Sequence, residues 1–446
     1  MVEFGNNALA EWAFWPSSFS WLSWSAAIRR TVGLMHTWAH ARTAAARAVR
    51  PLLPQRLPLA DAAGRVLAAP LASLTDLPAF DTSAMDGWAV RGPGPWHVVR
   101  GRVLAGGTGR PLDPDEAVAI ATGAPLPAGT SLVLRSEDGL LGEDGVLKVV
   151  RATVLAHGHD LPPGRDIRLR GQECRAGDPL LPAGTRITPA VLGLAAACGH
   201  DALTVTGRPC ADLLVLGDEL LDRGLPGRGR VRDALGPLLV PWLEALGVRV
   251  ASRGRVADDL DALCAALSRS TADVVLTTGG SARGPVDHVR RALEALGARM
   301  LVDSVAVRPG HPMLLALLPD GRPVVGLPGN PLAAVAGTAT LAVPLLRTLA
   351  GLPAAAPAGL PAGVRMAGRA PSTALVPVAV RDGAVHPLDF HGPAMLRGLA
   401  SCDALAVVPP EGAEAGVPVE LLARPGEAEG PGAVLGAALL RQGVAA

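Results

Sequence analysis

The sequence predicts an α/β multidomain fold. It combines a doubly wound parallel-sheet domain at 206–352, a split linking domain at 37–70 and 156–205 interrupted by an inserted β domain at 71–155, and a C-terminal β domain at 353–446. Three observations predict it. From residue 211 continuous apolar runs alternate with segments of helical period, as expected for strands buried on both faces and joined by crossover helices. Residues 71–155 instead break into short apolar runs separated by Gly, Pro and Asp, the pattern of short strands and turns. A Pro- and Ala-rich stretch, PAAAPAGLPAG at 353–363, then separates the alternating region from a second set of short strands.

The chain has 446 residues, enough for about three domains at ~150 residues each. With 41 basic and 40 acidic residues its net charge is +1, so no broad positive field is available for nucleic acid. A small anion would need local cations or backbone N–H groups. The five cysteines include no CxxC pair, which argues for buried thiols in a reducing, cytoplasmic setting over disulfides or structural zinc. Residues 1–36 form a Trp-rich extension, expected to be disordered. Trp12, Trp15, Trp21 and Trp24 sit there with Phe4, Phe14 and Phe19, but Glu11 interrupts the run and no basic segment precedes it, so a secretory signal is not expected. Such aromatics suit a membrane interface; no spanning segment is expected elsewhere.

Residues 37–70 read as a helix and a helix-like turn spaced by Leu52, Leu57 and Leu67. The linking domain resumes at 156–205 with the apolar run TPAVLGLAAACG at 188–199. ADLLVLG (211–217) is a buried strand. A helix at 233–247 follows, with Leu235, Leu238, Leu239, Trp242 and Leu246 on one side, then a strand at 248–256. DDLDALCAALSRS (258–270) is an acid-started helix, DVVLTTGG (273–280) a strand ending in two glycines, and 286–297 a helix.

In such a sheet ligands bind beyond the carboxyl ends of the strands. TTGGSARG (277–284) lies at one, and Gly279, Gly280 and Ser281 let backbone approach an anion closely. Asp218 and Glu219 end the first strand, while Asp258 and Asp287 open helices. Each could serve only as a helix cap. Together they place carboxylates on one rim, as a divalent ion with few protein ligands requires. Arg308 and His311 on RPGHP (308–312) add cations, and Pro328, Gly329 and Asn330 of LPGNP (327–331) make a rigid turn into a helix. This set suits a phosphate or phosphoanhydride. Asp86 in SAMDGWAV and Thr122 in ATGAPLPAG have plain turn readings on their own.

Taken together the motifs resemble the MoeA family of molybdopterin molybdenumtransferases, to which the gephyrin E-domain is related. LPAFDTSAMDGWAV (77–90), IATGAPLPAGTSLVLRSE (120–137), 168–199, LGDEL (216–220), TTGGSARGPVDHV (277–289), VAVRPGHP (305–312) and LPGNPLAAV (327–335) occur in family order from about residue 40 to 425. The resemblance implies a homodimer in which the molybdopterin-binding α/β domain of one subunit meets the β insert of the other. The implied reaction takes adenylylated molybdopterin and molybdate with Mg²⁺ and releases AMP. By the same resemblance Glu219, Asp258, Asp287 and Asp86 are catalytic, and the first three organise metal. Thr122, Gly279, Gly280, Ser281, Arg308, His311, Pro328, Gly329 and Asn330 would bind the pterin substrate. Arg308 and His311 stand where the family usually has lysines.

The sequence departs from the family pattern elsewhere. Leu216 replaces a threonine, Ala234 and Leu235 follow Asp233 in place of hydroxyl and amide residues, Ser281-Ala282-Arg283 replaces Val-Ser-Val, and Pro393 replaces a serine. Two other functions fit the residues: a non-catalytic molybdopterin-binding paralogue or carrier, and a molybdopterin adenylyltransferase.

Overall fold

The computed structural model describes residues 35–150, 161–282, 284 and 287–427. The Trp-rich segment 1–34 and Arg283 lie outside the described residues. The chain forms two compact units, one of Leu53–Thr206 and one of residues up to Leu52 joined with those from Gly207 onward.

In the first unit the insert is a six-stranded sheet, ordered Leu132–Arg135, Gly87–Val90, Glu116–Ile120, Trp96–Val103, Val146–Val149 and Gly139–Leu141. Neighbouring residues alternate between its two faces. Ala89, Val118, Ile120 and Val133 build one core, while Val90, Ala117, Leu132 and Leu134 build the other. Each large apolar side chain so buried contributes roughly 1.5–3 kcal/mol. A Cβ at Gly87 would stand 2.0 Å from the Leu134 carbonyl oxygen. Only glycine lets this central strand begin there, directly after Asp86.

The linking region draws its core from both sides of the insert: Ala62, Leu67 and Leu71 pack with Ile187, Ala195, Leu203 and Val205. Helix Pro189–Ala197 starts with proline and is capped by the Thr188 hydroxyl, which accepts from Val191 N–H. The helix-like reading of residues near Leu57 is corrected. Pro54–Pro58 is a strand, paired antiparallel with Ala202–Thr206, because its two prolines cannot serve a helix interior and favour extended neighbours.

In the second unit four strands run parallel in the order Arg249–Val256, Cys210–Leu216, Val274–Thr278 and Pro323–Leu327. Leu314–Leu317 and Arg299–Asp303 extend this sheet antiparallel, so it is mixed at one edge. Helix Leu235–Ala245 and the segment Pro331–Leu349 cover one face. Helices Leu260–Arg269 and Val289–Ala295 cover the other. Segment Pro331–Leu349 is apolar and long enough to cross a membrane by composition, but 89% of it is buried in this core.

Helix Trp38–Arg47, expected in the linking domain, packs into this second unit. Its buried stripe is Trp38, Ala41 and Ala45, small enough for close approach to the 338–349 helix. The Trp38 indole donates to Thr340 Oγ1 at 3.2 Å and Arg42 to the Ala339 carbonyl at 2.6 Å. Five C-terminal strands, together with His36–Thr37 and Val305–Arg308, form a seven-stranded sheet. Strand Val305–Arg308 leaves the α/β region and joins this sheet, pairing parallel with Thr373–Arg381 so that Arg308 lies opposite Ala374. That crossing places RPGHP at the junction of the two sheets.

Candidate anion-binding site

The glycine loop follows strand Val274–Thr278. Gly279 and Gly280 have φ of +84° and +62°. A Cβ on Gly280 would press on Leu216 and Val289, so both conformation and space require glycine. Gly279 N–H donates to the Leu327 carbonyl, and Val289 N–H to that of Gly280. A Cβ on Gly329 would lie 3.5 Å from Gly279 Cα, which brings the glycine loop and LPGNP side by side. Leu216, in the family's threonine position, is buried and fills space beneath Gly280.

LPGNP and RPGHP open together onto a cleft of about 880 Å³. Arg308, His311, Pro328 and Asn330 line one side, and Arg365, Arg369, Asp389, His391 and Pro393 the other. Asn330 sits at the helix N-cap without a side-chain capping bond, which leaves its amide for a ligand. The first amides of helix Pro331–Gly337 are already engaged within the protein. The Pro393 carbonyl accepts from Leu332 and Ala333 N–H at 2.9 and 3.3 Å. The proline that replaces the family's serine therefore caps this helix through its backbone. Positive charge in the cleft comes from side chains instead. Arg365 pairs with Glu414 at 3.1 Å. His391 Nδ1 donates to the Leu388 carbonyl at 2.6 Å, which directs Nε2 elsewhere. Partial desolvation, then the Arg308 and Arg290 cations, hold the His311 imidazole below its ordinary value of 6.5. His311 is thus neutral near pH 7, unlike the lysine usual there.

The carboxylates sit along neighbouring strand ends. Glu219 follows strand Cys210–Leu216, and its carboxylate oxygens would meet a Cβ built on Gly217 at 2.8 Å. Arg255 holds this turn by donating to the Gly217 and Asp218 carbonyls, each at 2.9 Å. Asp258 Oδ2 accepts from Asp218 N–H at 3.2 Å, and Asp287 Oδ2 from Gly284 N–H at 2.6 Å. Among the described residues no three His, Cys, Asp or Glu side chains converge as metal ligands. Glu219, Asp258 and Asp287 therefore do not form a closed ligand set. Ser281, expected with Gly279 and Gly280 to meet the substrate, is 1% exposed and presents almost no surface to a ligand.

In the other unit Asp86 Oδ1 accepts from Thr122 N–H at 3.0 Å, and Arg102 stands 4.0 Å from the same oxygen. The two sequence-distant turn residues thus share one exposed point of the insert. Asp233 is structural: it is 4% exposed, accepts from Leu235 and Gly236 N–H at 2.9 and 3.0 Å, and pairs with Arg253. Sequence reasoning missed Arg255, Arg290, Arg365, Arg369 and His391. No local pattern marks them, because their positions depend on strand order.

Fold and site define a multidomain α/β protein with a cleft lined by Arg308, His311, Arg365, Arg369 and His391. Three family profiles cover most of the chain: "MoeA N-terminal region (domain I and II)" at 36–199, "Probable molybdopterin binding domain" at 212–348 and "MoeA C-terminal region (domain IV)" at 360–423. Relatives named molybdopterin molybdenumtransferase include one from Synechococcus elongatus, 36% identical over 66% of this chain and 75% of that protein. Molybdopterin molybdenumtransferase 2 of Mycobacterium tuberculosis is 34% identical over 69% and 77% respectively. The fold is similar to the molybdopterin biosynthesis MoeA protein from Pyrococcus horikosii, with a TM-score of 0.71, 24% identity and coverage of 87% of this chain and 98% of that one. The chain belongs to the MoeA family of molybdenum cofactor biosynthesis.

Proposed function

We propose that this chain transfers molybdenum from molybdate to adenylylated molybdopterin and releases AMP. The observation that carries this reading is the cleft where Arg308, Arg369 and Asn330 face one space, with Gly329 of LPGNP packed against Gly279. Guanidinium groups and amide donors match tetrahedral oxyanions in charge and geometry. The glycine loop suits a phosphate of the pterin substrate, because its backbone can be approached closely. Glu219, exposed at a strand end, is suited to order water or the phosphoanhydride as AMP leaves.

Mg²⁺ suits this donor set. It takes one or two protein carboxylates and completes its shell with phosphate oxygens and water. Asp258 and Asp287 would hold it, each having one carboxylate oxygen engaged by a backbone N–H. When bound, it would neutralise charge on the phosphoanhydride. Asp86 and Thr122 would complete the site in a homodimer, and the protein would work in the cytoplasm.

The test is complementation of cells lacking their own molybdenumtransferase, read as nitrate reductase activity. Restored activity supports the reading; none, with the protein present and folded, overturns it. A carrier would bind the adenylylated pterin without AMP release. An adenylyltransferase would release pyrophosphate from ATP and molybdopterin.

A further inference from the structure

Three consecutive carbonyls of the glycine loop are engaged by hydrogen bonds, and a side chain outside the loop holds two of them. The Gly280 carbonyl accepts from Val289 N–H at 3.2 Å. The Ser281 carbonyl accepts from Arg290 Nη1, and that of Ala282 from the same nitrogen at 2.9 Å. The guanidinium is itself fixed by Asp303, through Nε at 2.8 Å and Nη2 at 2.7 Å. Arg290 is 16% exposed in its side chain, so it grips the loop from beneath.

An anion is repelled by carbonyl oxygens and attracted by N–H groups, so a loop that binds phosphate must turn its carbonyls away. The Ser281 hydroxyl does not do this for the loop. Ser281 is buried, and its hydroxyl has no hydrogen-bond partner. We infer that Arg290 is the positioning residue of the phosphate loop: by holding the Ser281 and Ala282 carbonyls inward against Asp303, it sets the loop's ligand-facing side. Asp303 ends strand Arg299–Asp303, just before strand Val305–Arg308. The same guanidinium thus ties the glycine loop to the segment that carries Arg308 and His311. Only a planar fork reaches two carbonyls and a carboxylate together, which a lysine ammonium on its single stem cannot reproduce.

This inference deepens the proposed function and rests on it for the identity of the substrate. Its test therefore uses a simple probe beside the full substrate. Inorganic pyrophosphate binding is measured by calorimetry for the wild type, Arg290→Met and Arg290→Lys, with the thermal midpoint of each. Arg290→Met is expected to weaken pyrophosphate at least tenfold and to raise KM for adenylylated molybdopterin more than it lowers kcat. Arg290→Lys should recover part of the loss. The His311 imidazole, followed by NMR, should titrate higher in Arg290→Met because a neighbouring cation is gone. Unchanged pyrophosphate affinity in a folded Arg290→Met protein overturns the inference, as does an equal loss in both variants that tracks only a lowered midpoint. Pyrophosphate binding that depends on Arg290 in a wild type without transferase activity would count against the proposed function and leave the positioning role standing.

Discussion

Replacing His311 by lysine should convert a pH-dependent oxyanion site into one that binds more tightly and nearly independently of pH. His311 lines the cleft, and desolvation together with Arg308 and Arg290 lowers its pKa. At pH 7.5 it is neutral. A lysine adds one positive charge, and at roughly 5 Å from a bound anion that charge is worth about 1 kcal/mol in bulk water and about 3 kcal/mol near a protein surface. The residue is exposed by surface area though partly desolvated, so the lower figure is the safer one, equivalent to about fivefold in affinity. In the wild type a bound oxyanion favours the imidazolium and raises its pKa. Affinity should therefore strengthen as pH falls through 6.5 toward the lowered value, by at most about tenfold per unit. Without ligand the sign is opposite. The folded value lies below that of the unfolded chain, so the unfolded state takes up protons first. Stability is kept above pH 6.5 and lost below it. Calorimetric titration with molybdate from pH 6.0 to 8.0 measures both proteins. A flat wild-type profile, or His311→Lys no tighter at pH 7.5, would refute the reasoning.

Two further outcomes are expected. Glu219→Gln should lower AMP release by about 10²–10³-fold if the carboxylate acts on charge that develops in the transition state, with the urea midpoint unchanged because the side chain is exposed; a near-normal rate removes Glu219 from the chemistry. Asp233→Ala should destabilise the fold by about 2–4 kcal/mol in urea, since it uncaps helix Leu235–Ala245 and leaves Arg253 without its buried partner; loss of activity with unchanged stability would instead place Asp233 in the site.

The sequence made the frame legible where local physics decides. The buried strands Cys210–Leu216 and Val274–Thr278 are dominated by apolar residues, and Gly279 and Gly280 mark a turn that takes positive φ. Asp86 and Thr122 were joined to the site by family pattern alone, and the structure adds their mutual hydrogen bond. What stayed hidden depends on register and topology. Helix Trp38–Arg47 lies at the start of the described chain yet packs on residues 338–349. The crossing of Val305–Arg308 into the C-terminal sheet brings Arg369 and His391 to face Arg308. Nothing near these residues in sequence signals that meeting. The departures also changed meaning: Pro393 removes a hydroxyl while the backbone carbonyl at that position still caps the helix, and Leu216 exchanges a hydroxyl for packing under the glycine loop.

The central claim is that this cleft supports turnover and is more than a binding site. AMP release from adenylylated molybdopterin by the purified protein, with Mg²⁺ and with or without molybdate, tests it most directly. The expected result is molybdate-dependent AMP release over many turnovers, matched by molybdenum appearing on the pterin and lost in Glu219→Gln. Tight binding of the adenylylated pterin with no AMP released above background would contradict it.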